Sequence, residues 1–361
     1  YENRIGEHDT TYRGTDGEQT VTDLEWRHPL CDAFIKAAVG IGIPENKDYN
    51  GGIQEGVSYV QRTTKGRLRV SAAKAFLNPA KKRRNLSIRT NAHVMRIELE
   101  GKRATAVRYA VGGRHGVEHV VEARREIILS AGTINSPHIL QLSGIGPKEL
   151  LDDLGIEVKH HLPGVGENLR DHYAPRFTAR AKNISTINEL SRGPRLWAEI
   201  GKYLLGKQSI VGLGPTLVYA FWHSNEAIRN HDLQLTFAPA SYKEGVQSQL
   251  DNEPGFTVAS WQQRPESLGW VKARSADPFD KPRIQPNYLS AEEDKRVLLA
   301  GMRLCRRIMA TPELAPYLDY EQYPGEHIQR DDELLQVARE RGTTTYHLMG
   351  ACRMGPDSDL T

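Results

Sequence analysis

Apolar residues recur at helical spacing over residues 28–42 (HPLCDAFIKAAVGIG), with proline near the first turn and glycine at the end, which predicts a helix. The Asn- and Gly-rich stretch NKDYNGGIQEG that follows reads as a loop. Ser71 is suited to cap a short Ala-rich helix running toward Asn78-Pro79. Strand-like segments come next, at 86–90, 93–99, 104–110 and 119–129, and the glycines of 112–116 make a hairpin connection between the last two. The apolar triplet Ile127-Ile128-Leu129 has the pattern of a buried strand. Small residues, Ser130-Ala131-Gly132, come directly after it, and Ser136-Pro137 is expected to open a helix over 138–142. A buried strand, a small-residue turn and a helix start bring backbone close to a nucleotide, but many α/β proteins have such junctions without binding one.

From about residue 173 to 265 the pattern changes. Alternation at 176–180 and 256–262 suggests half-buried antiparallel strands. Residues 268–274 are a further strand, leading into the proline-rich turn at 281–286. Two helices, near 291–309 and 332–339, precede the block Thr345-Tyr346-His347-Leu348-Met349-Gly350-Ala351-Cys352-Arg353-Met354-Gly355. There is no internal repeat and no low-complexity stretch.

Composition narrows the function classes. The chain of 361 residues is long enough for two domains, and 39% hydrophobic with 26% charged residues is ordinary for a globular protein. A formal charge of +3 gives no field favouring nucleic acid, and Lys81-Lys82-Arg83-Arg84, without interleaved aromatics, reads as a solvated loop. Cys31, Cys305 and Cys352 show neither metal-ligand spacing nor a disulfide framework, so no metal is expected. No apolar run is long enough to span a bilayer. The expectation is a reducing, cytoplasmic setting, with peripheral membrane association as the alternative; the chain opens at Tyr1 rather than Met, which leaves room for a targeting segment before it.

The stretch Ser130 to His172, with Ser143-Gly144-Ile145-Gly146, Leu162-Pro163-Gly164-Val165-Gly166-Glu167-Asn168-Leu169 and the ending Asn-Leu-Arg-Asp-His, together with the His347 block, resembles the two signatures of the glucose–methanol–choline (GMC) family of flavin-dependent oxidoreductases. Residues 50–56, 66–73 and 84–86, and Arg264-Pro265 through Pro286-Asn287-Tyr288-Leu289, are similar to further family stretches, so the resemblance covers nearly the whole chain, least clearly over 173–255. It implies an α/β protein, α+β in its substrate part: an incomplete FAD-binding Rossmann-like domain with an antiparallel-sheet substrate domain. The implied division is 1–172 for the N-terminal FAD-binding region, 173–335 for the substrate domain (with the family's C-terminal region starting near 260), and 336–361 for a return to the FAD domain.

The resemblance also implies site residues. Val94 would contact the adenine side of FAD through its backbone, with Ala131 and Gly132 bordering the same nucleotide; plain core and turn roles are the competing explanations. His347 would sit at the flavin face. Alcohol oxidation releases a hydroxyl proton as hydride leaves carbon for flavin N5, and an imidazole, ordinarily titrating near neutrality, suits that proton. Cys352 is expected to pack rather than react, since hydride transfer needs no thiol adduct. Ala351 stands where the family commonly has Thr.

Other features depart from the family. None of the Gly-x-Gly pairs at 40/42, 144/146, 164/166 and 212/214 has a third glycine at the spacing of a pyrophosphate-cradling Gly-x-Gly-x-x-Gly. The second catalytic His or Asn of relatives would lie beyond Thr361. The expectation is therefore a fragment cut inside the FAD domain at both ends, inactive alone. Residues 216–222 are apolar where many relatives carry a Glu near the pocket; Tyr219, Phe221 and Trp222 read as core more readily than as a cage for a cation. The expected activity is FAD-dependent oxidation of a small-molecule alcohol to an aldehyde or ketone, passing electrons to an acceptor other than oxygen. The alternatives are a choline dehydrogenase or oxidase of the same family, a lyase on that scaffold, and a non-catalytic binding domain that no longer holds flavin.

Overall fold

A computed structural model describes residues 1–228, 230–243 and 249–356, which form two compact units interleaved along the chain. One unit comprises 1–86, 173–264 and 295–343; the other comprises 87–172, 265–294 and 344 onward.

The first unit is built on a six-stranded antiparallel sheet. Its strands run in the order Leu318–Tyr323, Arg176–Ala181, Gly255–Gln262, Leu233–Ala238, Val218–Trp222 and Gly56–Tyr59. Cross-strand pairing aligns Phe237 with Val258 and Leu235 with Ser260, so alternation gives these four one face with Leu233. The helix Pro29–Gly40 packs on that face, with Phe34 stacked on Phe237 at 4.5 Å between ring centroids. The helix Glu292–Met309 reaches the same face at Gly301, where a Cβ would meet Ser260 and Leu233. His28 caps the first helix, its Nδ1 accepting from the Leu30 amide at 3.2 Å.

The helices expected at 28–42, 291–309 and 332–339 are present with small shifts of boundary, and the Ala-rich segment after Ser71 forms a π-helical turn, Ala73–Leu77, that runs into the short helix Asn78–Ala80. The strands differ more. Gly255–Gln262 is buried along its whole length rather than half-buried, because it is a central strand covered on both faces. Its second face mixes polar and apolar residues, with Thr257, Ala259 and Trp261 opposite Ala238, Thr236 and Gln234. Tyr219 and Phe221 pack against Tyr49, at 6.0 and 5.4 Å between centroids, and burial pushes the Tyr49 hydroxyl up to about 12. These aromatics belong to the core. Lys81 to Arg84 are all exposed.

In the second unit, Ala92–Glu100, Arg103–Val111 and Val117–Glu122 form an antiparallel meander closed by the expected glycine hairpin. Residues 86–90 and 127–129 are not strands. An apolar run forms a ladder only beside another strand, and among the described residues none lies alongside; Ile128 is 78% exposed. The helix after them begins at Gly132, not at Ser136, and runs to Leu142 with Pro137 inside it. The Ser136 hydroxyl accepts from the Ala131 amide at 3.1 Å, holding the early turn together. Gln141, fully buried, ties the unit together: its side-chain amide donates to the Val165 and Val271 carbonyls and accepts from the Ala273 amide at 2.8 Å. Among the described residues no helix is long and apolar enough to cross a membrane, and no group of His, Cys, Asp and Glu suits a metal ion.

Candidate active site

Within the second unit, the segment ending at His172 and the segment around His347 are laced together. Arg170 and Met349 exchange both amide–carbonyl hydrogen bonds at 2.9 Å, and the Thr345 amide donates to the His172 carbonyl at 3.0 Å. The close approach depends on Gly350, at φ +92°, where a Cβ would run into the Asn168 carbonyl oxygen. Beneath the strip lie Leu169, Val271 and Ala351, all buried, with Ile134 and Leu348 against them.

Asp171 organises the polar side. Only 5% exposed, it accepts from the His347 amide at 2.9 Å, from the Tyr288 hydroxyl at 2.5 Å and from the Thr344 hydroxyl. Three donors on two oxygens compensate a carboxylate for the water it has lost. Tyr346, in the left-handed region at φ +63°, turns the chain just before His347, and its amide donates to the Thr344 hydroxyl at 2.8 Å. The His347 residue is exposed while its backbone is fixed. Its Nδ1 lies 3.1 Å from the His172 Nδ1, the rings edge to face with centroids 5.3 Å apart, and 3.1 Å from the Thr345 hydroxyl.

The other expected residues fall at the edges of this arrangement. Ala131 and Gly132 form the start of the helix Gly132–Leu142, and the Thr133 hydroxyl in its first turn donates to the Leu348 carbonyl at 2.9 Å, joining the helix start to the His347 segment. Ala131 supplies no side-chain cap, and at Gly132, φ +83°, a Cβ would meet nothing within 4 Å. Val94 sits at a bulge on the edge strand of the meander; that strand is joined to the same helix at its other end, where the Ile97 amide donates to the Ser143 hydroxyl. Cys352 is exposed rather than packed.

Asp171, His172 and Tyr288 carry no assigned role in the sequence reading, although the Asn-Leu-Arg-Asp-His ending and the Pro-Asn-Tyr-Leu run contain them. The available signal was a charged residue and an imidazole closing a glycine-rich segment that ends in the same unit as His347.

Comparison with known proteins agrees with the resemblance. Two models of the GMC oxidoreductase family match, the N-terminal one over residues 8–174 and the C-terminal one over 265–361. The oxygen-dependent choline dehydrogenase of Photobacterium profundum is 37% identical over 358 residues, covering 97% of this chain and 61% of that protein. The alcohol dehydrogenase (acceptor) of Pseudomonas putida is 35% identical over 349 residues, covering 96% and 63%. A solved FAD-dependent oxidoreductase from Chaetomium thermophilum superposes with a TM-score of 0.88 at 22% identity, over 99% of this chain and 70% of that one. The fold is thus that of the GMC flavoenzymes, with a sheet-rich part of the kind that holds substrate. The chain belongs to the GMC oxidoreductase family, and it spans about three fifths of the length of the curated relatives it matches.

Proposed function

We propose that this chain carries the proton-handling side of an FAD-dependent oxidation of alcohols, with His347 as the proton acceptor. The carrying observation is His347 itself, an exposed imidazole on a backbone anchored to a buried carboxylate. A general base needs a fixed position and an accessible ring, and this arrangement supplies both. Membership of the family and similarity to proteins named as choline and alcohol dehydrogenases support the reaction class.

The residues present suit FAD. The uncapped helix start at Ala131-Gly132, with open space where a side chain would otherwise stand, fits an anionic nucleotide approaching backbone donors. Val94 and the Ala131-Gly132 turn would hold the nucleotide. When bound, the flavin supplies the hydride acceptor. His347 would take the substrate hydroxyl proton, Asp171 would hold its backbone, and Thr344 and Tyr288 would hold Asp171.

We favour an uncharged alcohol as substrate, because Tyr219 and Phe221 are committed to packing against Tyr49 rather than to a cation cage. Choline is the second reading, favoured by the choline dehydrogenase among the relatives. The test is anaerobic mixing of the flavin-containing protein with a primary alcohol or with choline. Bleaching supports oxidation and its substrate preference discriminates the two readings. In the same protein His347→Ala should slow flavin reduction by about two to four orders of magnitude. Reduction at the wild-type rate would remove His347 from the chemistry.

A further inference from the structure

The first unit holds a cavity of about 380 Å³ built from three places in the chain: the strand end at Thr22-Asp23 with Glu25, the segment carrying Arg62 and Arg67, and the turn that follows the helix Gly193–Leu204. Arginines fasten the second of these to the third. Arg67 donates through Nη1 to the Tyr203 and Leu204 carbonyls, and its guanidinium lies over the Tyr203 ring at 5.3 Å. Carbonyls at a helix C-terminus carry partial negative charge, so part of the Arg67 charge is taken up there. Arg62 donates through Nη1 to the Gly212 carbonyl at 3.1 Å.

The charges around this cavity do not balance. Arg62, Arg67 and Lys207 line it, and among the described residues none of them pairs with a carboxylate. Of the two acids there, Asp23 is paired with Arg4, which is not part of the lining, and Glu25 accepts from the Gln208 side-chain amide. Arg62 has the most left over. It is half-buried, its one side-chain hydrogen bond among the described residues goes to a neutral carbonyl, and its Nε is buried without a partner. Burial pulls its pKa below the usual guanidinium value, and Glu25 opposes this only through space. A desolvated guanidinium ordinarily meets an anion with its fork of donors.

We infer that this cavity binds a small oxyanion, a phosphate or carboxylate group, with Arg62 as the fork that holds it and Lys207 as a second positive charge. A planar guanidinium matches the paired oxygens of either group, and the exposed Lys207 ammonium adds attraction without fixing an orientation. The volume is that of a site for a small molecule, which runs from about 300 Å³ upward. Asp23 and Glu25, already engaged, leave the cations to the ligand. The inference stands apart from the reading of His347, which belongs to the other unit.

The test is isothermal titration of the full chain with sodium phosphate and, separately, with sodium succinate, at an ionic strength held constant with sodium chloride. Saturable binding of at least one of them is expected; binding of phosphate alone or of succinate alone names the group recognised. Arg62→Gln should weaken that binding by about tenfold or more, since it removes the fork and its charge. Lys207→Gln, at an exposed side chain with no partner among the described residues, should weaken it by about two- to fivefold. No saturable binding of either anion, or unchanged affinity in folded Arg62→Gln, overturns the inference. If Arg62→Gln fails to fold, Lys207→Gln decides: weakened binding supports the site, and unchanged binding overturns it.

Discussion

Replacing Asp171 with alanine should damage the second unit more than removing either of the hydroxyls that donate to it. The carboxylate accepts from three donors, the His347 amide and the Tyr288 and Thr344 hydroxyls, at a position only 5% exposed. Hydrogen bonds to a charged group contribute about 1.5–3 kcal/mol each, and donors left without partners add their own desolvation cost. All three donors are only partly buried, so water recovers a share, and the net cost should be about 3–5 kcal/mol. Tyr288→Phe removes one donor and leaves the carboxylate two, and should cost about 1–2 kcal/mol. Asp171→Asn keeps one acceptor oxygen and should fall between.

The assay is denaturant unfolding of the three variants beside wild type, followed by flavin reduction by alcohol in the flavin-containing protein. Losing the backbone anchor lets the His347 ring drift, and a displacement of order 1 Å can slow a positioned reaction by about 10²-fold. Tyr288→Phe should keep most of that rate. An Asp171→Ala variant within 1 kcal/mol of wild type, or a Tyr288→Phe variant as unstable as Asp171→Ala, would refute the reasoning: the carboxylate would not be the hub.

How far the sequence foretold this site depends on what each residue needs from its neighbours. The helix at Pro29–Gly40 and the glycine hairpin are local, set by spacing, proline and turn chemistry, and they stand as expected. Ile127-Ile128-Leu129 failed as a strand because a strand is a relation between two segments, and apolar side chains state only half of it. Alternation over 256–262 predicts a half-buried strand because it reports polarity, whereas Thr257 is buried with its hydroxyl on the Ala240 carbonyl at 2.7 Å. His347 was legible through a motif. Its partners were not, since Asp171 and His172 are remote in sequence and reach it through backbone pairings, Arg170 with Met349 and Thr345 with His172.

The remaining predictions separate backbone from side-chain roles. Gly350→Ala should be strongly destabilising, by about 3 kcal/mol or more, because its Cβ meets the Asn168 carbonyl at a positive φ; near-wild-type unfolding would contradict the close approach. Gly132→Ala meets open space and should cost only about 1–2 kcal/mol of backbone strain while weakening FAD binding, measured by flavin retention on dilution. His138 argues a pH dependence. It is buried, with no hydrogen-bond partner for its Nε2, and burial pulls its pKa below the ordinary imidazole value, assisted by His93. The unfolded chain therefore binds the proton first. Stability contributed by the neutral ring is fully present above about pH 6.5 and is lost as pH falls through that value toward the folded pKa, at up to about 1.4 kcal/mol per pH unit. His138→Leu removes the group that titrates, so its unfolding free energy should fall less steeply between pH 7 and pH 5 than that of wild type. Equal slopes would mean that the ring reaches water, and that the burial assigned to it here is not the state from which the protein unfolds.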